Sequence, residues 1–440
     1  MTAPIEYHLE IWDRTFSNIL TKIKAFGSMN YEISIDKGNT AEVVIPYTRP
    51  ELTRENIEVM NRVRIKHGED TKWEGYLNLW SMQSTDVTIR CLGLEGILEK
   101  RLITKEYSEQ AANEIFQDIF DVINDEDDTG ITAGTFEFGG VGVPTVPDES
   151  TDTFTSEGHG FLGNEQIVIV STESVPFPLV EHQIYFVVNE TTDTFQLSLT
   201  SGGSVINIQD NGTGDISFIR AQRGFDFQDQ TALSALRTVA QSVGSEFFID
   251  FGGVAKMVVA RGSDKSNGEV TFKLLDNKPN ETNVEDINVV YDGSELFNSI
   301  KGTTTSLTST KTTQDSIDTF GLLERVESIG DANDQSTLDQ ETEIILEKLD
   351  SPIEIPELVP IEERISSNLY EVGDIVGVKI DRGFYSLNLP FRVTSKMSEV
   401  RQDKQVENVR ISLSDRAVTR KDVLNTIAET VRRVYSLERA

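Results

Sequence analysis

The chain has 440 residues with 73 acidic and 40 basic side chains, a formal net charge of −33, 38% hydrophobic residues and one cysteine. That length points to several cores at about 150 residues each, the lone Cys91 excludes an internal disulfide and a CxxC zinc site, and the acidity argues against a nucleic-acid groove. No run approaches the roughly 18 apolar residues of a membrane helix, and no basic flank leads into an apolar stretch at the amino terminus, so a soluble protein without a cleaved signal, folded in the cytoplasm where it is made, is expected.

Residues 1–105 read as strands and turns. Tyr31, Ile33 and Ile35 alternate, as do Ala41, Val43 and Ile45 after Lys37-Gly38-Asn39, which is a hairpin pattern. Further strands are expected at 63–65, 73–80 and 87–92, spaced as in a small sandwich or barrel. Cys91, in step with Val87 and Ile89, falls on the inward side. The segment 93–101 closes the block with an apolar pair inside a short charged stretch and is expected to cap the barrel.

An amphipathic helix follows, because Ala112, Ile115, Phe116, Ile119, Phe120 and Ile123 recur at three- and four-residue intervals behind Ser108 as N-cap. The acidic loop after it fails as a calcium loop. With Asp125 first, Thr129 stands at the fifth position and Phe136 where a bidentate Glu belongs.

At about residue 135 the composition shifts to short strands rich in Thr, Val and Phe, with strands expected at 166–170 and 184–188. An internal echo, Asp152-Thr-Phe-Thr and Asp193-Thr-Phe-Gln, marks two more, and Ser201-Gly-Gly203 and Asp210-Asn-Gly-Thr-Gly214 punctuate the rest. About 85 residues with five or six such strands make a small β domain.

Helical spacing resumes in Leu233, Leu236, Val239, Ala240 and Val243, with Asp229 as N-cap and Gly244 as stop. A hairpin then turns at Gly252-Gly253 between strands at 247–251 and 254–259. The two helices flanking 135–219 read as halves of one interrupted domain, which makes 135–219 an insertion.

Residues 263–333 are polar, with strands near 289–291 and 298–302 and a Thr/Ser-rich stretch at 303–313 that reads as a mobile loop. Ser336 opens a third helix, with Leu338, Ile345 and Leu349 as its apolar line. Strands return at 352–359, 372–380, 391–396 and 406–413. A terminal amphipathic helix at 419–437 carries Leu424, Ile427, Val431 and Val434 at heptad-like spacing. These four are the candidate assembly interface, since their apolar line needs a partner surface.

The fold class expected is mainly β with a few helices (α+β): two barrel-like domains, connecting α/β elements and an inserted small β domain. The segments are 1–105, the interrupted 106–134 with 220–262, the inserted 135–219, a connecting 263–350, a second barrel at 351–418 and the helix at 419–440.

Catalytic chemistry is not expected. His8, His67, His159 and His182 fall in different turns and strands, and no HExxH, G-x-S-x-G or Walker-type loop occurs. The many carboxylates make chance pairs uninformative for a glycosidase, and Asp127-Asp128 and Glu362-Glu363 read as solvated loop charges. Trp12, Trp73 and Trp80 offer a sugar-stacking platform on one reading, but strand tryptophans more commonly fill cores or interfaces. Phe161, Phe177 and Phe186 are ambiguous in the same way. No cofactor or metal is implied.

In this order the elements resemble the hub proteins of long-tailed bacteriophage baseplates and tail tips. The resemblance rests on Val87-Thr-Ile-Arg-Cys-Leu-Gly-Leu-Glu-Gly-Ile-Leu-Glu-Lys-Arg101, on Ala232-Leu-Ser-Ala-Leu236 through Val259, on Asn298-Ser-Ile300 leading to Ser316-Ile-Asp-Thr-Phe-Gly-Leu-Leu323, and on Tyr370-Glu-Val-Gly-Asp-Ile-Val376. Within 135–219, Asp152-Thr-Phe-Thr-Ser-Glu-Gly-His-Gly-Phe161 and Ile184-Tyr-Phe-Val-Val-Asn-Glu-Thr-Thr-Asp-Thr-Phe-Gln-Leu-Ser198 look like a β module recurring in phage tail and fibre proteins.

The resemblance implies a virion subunit at the tail tip, a homotrimeric ring of two barrels per chain that mimics the sixfold tube. Its implied partners are the distal tail or tube ring, the tape-measure protein and tip or fibre proteins, and it opens for DNA ejection. Specific nucleic-acid binding and a membrane span are not implied. A host-surface contact through 135–219 would make the chain instead a distal-tail adaptor or receptor-binding protein, and a tail-associated glycan hydrolase is the third reading. The chain departs from larger tail-tip proteins in carrying no long fibre, peptidase or lysozyme-like extension, which argues against host-wall digestion.

Overall fold

The computed structural model describes residues 6–35, 38–139, 142–329, 335–401 and 407–414. The fold is mainly β with a few helices. Described residues of Met1–Gly27 and Asn39–Arg261 form one compact unit, and those of Ser28–Gly38 and Gly262–Ala440 a second.

In the first unit, an antiparallel sheet runs in the order Ile19–Ile23, Tyr7–Trp12, Arg62–His67, Asp70–Met82, Asp86–Gly93, Thr40–Pro46. Its inward positions alternate as the sequence does: Leu9, Ile11, Val43, Ile45, Val63, Ile65, Trp73, Ile89 and Cys91 are buried. The strand Ser28–Ser34 pairs with the second half of Tyr385–Arg401 and Ile33 and Ile35 pack on the second unit's core, so this piece of 1–105 belongs elsewhere. Lys37 of the expected hairpin turn lies outside the described residues.

After a one-turn helix, Glu95–Leu98, the chain enters a long two-stranded ribbon, Leu102–Ala111 with Gln222–Thr231. The helices Ala112–Glu126 and Ala232–Ser242 bury their apolar stripes in one core with Leu94, Leu98, Ile103 and Tyr107. The hairpin Glu246–Asp250/Val254–Val258 completes it, turning at Gly252 and Gly253 with φ of 98° and 79°, and Thr132–Phe136 adds a parallel strand. The two halves on either side of the insertion therefore share one core.

Both expected N-caps are corrected. Ser108 lies inside the ribbon strand. Its helix starts at Ala112 behind Ala111, with the Ala112 N–H donating to the Ala221 carbonyl at 3.0 Å instead of to a capping side chain. Asp229 sits in a ribbon bulge at φ 51°, its carboxylate accepting the Thr104 hydroxyl at 2.8 Å. The cap is Thr231, whose Oγ1 accepts the Ser234 N–H at 3.3 Å. Gly244 does stop the helix, at φ 66° just past Val243.

In the second unit, the 17-residue strand Tyr385–Arg401 serves two further partners besides Ser28–Ser34. Its first half pairs with Ile375–Arg382 and its second with Glu407–Ser414, with a register shift between Val393 and Ser395. The sheet continues through Ile353–Pro360 to Val284–Asp292, and Thr271–Leu275 lies parallel to Ile375–Arg382. A small α/β element carries Thr308–Thr312, Ser299–Thr303 and Glu324–Ser328, with the helices Gln314–Phe320 and Gln335–Leu349.

The stretch 303–313 is thus corrected from loop to strand over most of its length, held by antiparallel pairing with Ser299–Thr303. Ser336 lies within the third helix, which begins at Gln335, and its core-facing residues include Leu338, Thr342 and Leu346. The expected terminal helix lies outside the described residues.

Candidate interaction surfaces

The residues that invited chemistry are used structurally. Cys91 is buried, which pushes its thiol up, away from the reactive thiolate. His67 stacks on Tyr7 at 4.3 Å, His8 lies 3.4 Å from Glu10, and His159 Nδ1 accepts the Phe161 N–H at 3.0 Å. Among the described residues, no three His, Cys, Asp or Glu side chains are grouped to hold a metal ion. Asp127 pairs with Arg14 at 2.6 Å, and that guanidinium holds its carboxyl below the usual range. Glu362 accepts the Ser367 N–H and the Ser366 hydroxyl.

Trp73 is fully buried, and Trp12 and Trp80 are half-buried beneath Arg64 and Arg54. Cross-strand neighbours Lys22, Glu10, Arg64 and Glu74 form a ladder of alternating charge on one sheet face. Burial alone would raise Glu10, but the Lys22 ammonium at 2.6 Å and donors from His8 and Trp12 hold it below the usual range. The ladder ends where Glu74 accepts the Gly252 N–H at 2.8 Å, and buried Arg62 donates to the Thr129 carbonyl. These bonds fasten the sheet to the helix-hairpin domain.

Two of the resemblance-bearing segments are explained by one side chain. Asn298, fully buried, donates to the Gly321 carbonyl at 2.7 Å and the Ser316 hydroxyl at 3.3 Å, and accepts the Leu323 N–H at 2.8 Å. It binds 316–323 to the strand beside it. The segment 370–376 is held by Asp374, which accepts from the Ser263 N–H at 2.8 Å, the Glu371 N–H at 2.8 Å and the Lys265 ammonium at 2.7 Å. Burial pushes its carboxyl up, yet those donors hold it below the usual range.

Between the two halves of the helix-hairpin domain stands a closed barrel of Val143–Asp148, Thr153–Thr155, Thr194–Ser198, Ile184–Val188, Gln166–Ser171 and Ile216–Arg220. The two echoed segments are hydrogen-bonded neighbours in it: Phe154 faces Phe195, and Phe161 and Phe218 close around Phe195 at 5.2 and 5.1 Å. Phe161 is therefore core, and Phe186 is half-buried.

Strand alternation divides the barrel's side chains. Ile167, Ile169, Tyr185, Val187 and Phe218 fill its interior, whereas Val168, Val170, Ile184 and Ile219 point outward and join the core of the two helices. Polar ties reinforce this seat. The Phe138 N–H donates to His182 Nδ1 at 3.3 Å, Ala221 donates to the Gln166 carbonyl at 2.9 Å, and Arg223 bridges the barrel's Arg220 carbonyl at 2.7 Å to the Ser242 carbonyl at the helix end. The barrel is mounted on its neighbour and not hung from loose linkers.

Every adjacent pair in the ring is antiparallel. The connections 149–152, 172–183 and 199–215 therefore leave from one end, and the chain arrives and departs at the other. Hydrogen bonds tie that far end together: the Glu149 N–H to Asn211 Oδ1 at 2.8 Å, the Phe177 N–H to Asp210 Oδ1 at 3.1 Å, and Ile208 to Asp152 Oδ1 at 2.9 Å. Phe177 is exposed there, beside exposed Pro178 and Val180. Leu424, Ile427, Val431 and Val434, the interface expected from the sequence, lie outside the described residues.

Neither a family model nor a curated protein matches this sequence. Solved structures do match in fold. The 43 kDa tail protein of prophage MuSo2 from Shewanella oneidensis aligns over 93% of this chain and 97% of its own at 11% identity and a TM-score of 0.55. A tail protein from Neisseria meningitidis MC58 aligns over 94% and 98% at 10% identity and 0.57. Prophage tail protein gp18 from Listeria monocytogenes EGD-e aligns over 97% and 99% at 11% identity and 0.51. The fold of this chain is the fold of these phage tail proteins, as the resemblance implied.

Proposed function

We propose that the chain is a structural subunit of a phage-type tail, the hub that ends the tail tube at the tip or baseplate. The observation that carries this reading is the length-wide fold match to three prophage tail proteins, which leaves almost none of this chain or of theirs unaligned. In this reading the subunits close a homotrimeric ring, seat on the distal tube ring, anchor the tape-measure and tip or fibre proteins, and open for DNA ejection. The work is mechanical and requires no bond chemistry. Electron microscopy of the purified full-length chain tests it: a threefold ring bearing peripheral knobs is expected, and a stable monomer would overturn it. The apolar line Leu424, Ile427, Val431 and Val434 is proposed as an assembly contact. Removing 419–440 is expected to leave a soluble protein that no longer forms the ring.

A second reading, a distal-tail adaptor or receptor-binding protein, draws on the exposed Phe177 end of the mounted barrel. Deleting 135–219 separates the two. Intact particles that no longer adsorb to the host favour adhesion, and failed assembly favours the hub. Turnover of host-envelope glycans is expected to be absent.

A further inference from the structure

The inserted barrel differs from the rest of the chain in its charge. From Glu106 through Ile219 there is no lysine or arginine, and the barrel, 143–220, sets eleven aspartates and glutamates against the single Arg220. At the far end of the barrel the apolar and acidic features coincide. Phe177 and Val180 stand 57% and 56% exposed on one connection, and exposed Asp148, Glu149, Glu173, Asp210 and Asp215 lie along or beside the three connections that end there.

The knob is fixed before anything binds. Its Phe177 N–H is held by Asp210, its carbonyl accepts the Gln209 N–H at 2.8 Å, and Ser174 and Thr213 bridge the two loops behind it. A partner therefore gains the burial of the knob without the cost of ordering the loop. Solubility alone accounts for the carboxylates, but it makes no demand for an exposed phenylalanine on a stapled loop.

We infer that this end of the barrel docks a protein surface presenting an apolar pocket rimmed by lysine and arginine. A phosphate-bearing polymer is repelled by the carboxylates at this end, because the barrel's one cation, Arg220, pairs with Glu165 at 2.6 Å at the opposite end. A neutral glycan would leave those carboxylates desolvated and unpaired at the contact. A basic rim answers the charge and the pocket answers the knob, so the pair gives both steering and register. The inference goes beyond the hub reading and does not depend on it.

The test uses the full-length chain and three synthetic probes: an amphipathic lysine/leucine peptide, its glutamate/leucine counterpart, and polylysine. The lysine/leucine peptide is expected to bind, with an affinity that falls as salt rises from about 50 to about 300 mM. The glutamate/leucine peptide is expected not to bind. Phe177→Ser should weaken the lysine/leucine peptide about tenfold, as loss of an aromatic anchor does, and leave polylysine unchanged. Glu149→Lys with Glu173→Lys should weaken both basic probes. Val146→Ser, an exposed apolar position on a barrel strand, should change neither. No binding of the lysine/leucine peptide at low salt, equal loss in Val146→Ser and Phe177→Ser, or preferred binding of the glutamate peptide would each overturn the proposal.

Discussion

Asp374→Ala removes the acceptor on which the segment 370–376 is built, and its cost can be worked from the bonds it leaves unmade. Two main-chain N–H groups, one ammonium and, at a longer 3.3 Å, the Ser263 hydroxyl donate to this carboxylate, whose side chain is 4% exposed. Hydrogen bonds to a charged group contribute about 1.5–3 kcal/mol each. The Lys265 side chain is 25% exposed and rehydrates once released, so a net loss of about 3 kcal/mol is expected. For a unit of this size that corresponds to a fall in Tm of about 6–12 °C. The three tryptophans all lie in the first unit. Calorimetry should therefore show the second unit's transition falling while the tryptophan fluorescence transition stays in place.

The same carboxyl has a pH signature. Because its folded pKa is depressed, its contribution is complete above the unfolded value of about 3.9 and is lost as pH falls through the folded value. Wild type should lose second-unit stability more steeply than Asp374→Asn as pH drops below about 4. A fall in Tm under about 2 °C for Asp374→Ala, or parallel acid profiles for wild type and Asp374→Asn, would refute the assignment.

Thr231→Ala should destabilise the first unit by about 1 kcal/mol through loss of its cap, and Asp229→Ala, read by the same denaturant titration, should cost less than half of that. Val168→Asp places a charge in the seat of the barrel and should expose the barrel–ribbon junction at 220–223 to limited proteolysis. Val168→Ala, costing about 1–2 kcal/mol, should leave that stretch protected. Gly262→Ala should cost about 2 kcal/mol or more in thermal unfolding. Its φ is +92°, and a Cβ there would stand 2.2 Å from the Gly373 carbonyl carbon.

Much of the fold was legible because burial imposes periodicity locally. The stripes of Ala112–Glu126 and Ala232–Ser242 and the strands Ile184–Val188 and Gln166–Ser171 fall where alternation or helical spacing puts them. What stayed hidden depends on distant pairing. The ribbon Leu102–Ala111 with Gln222–Thr231 joins segments more than a hundred residues apart, and its polar strands carry no period of their own. The caps near its ends were therefore misassigned. Thr308–Thr312 reads as loop until Ser299–Thr303 pairs with it, and Ser28–Ser34 reads as part of the first sheet until Tyr385–Arg401 claims it. At the candidate surface, the sequence marks Phe177 as an aromatic of ambiguous role but carries nothing that places it. The long gap without lysine or arginine is visible in the sequence and acquires meaning once the three connections are known to share one end.

The seat of the barrel has an evolutionary consequence. Val143 and Phe218 are paired across its first and last strands, so the chain enters and leaves at adjacent positions, while the two helices beneath already share a core of their own. That is a socket. A lineage can exchange the head by recombination at two neighbouring junctions, provided the replacement brings a few outward aliphatic residues to match those at Val168 and Ile219. Diversity among relatives should then concentrate above the socket, with the aliphatic contact and the ribbon below it changing slowly.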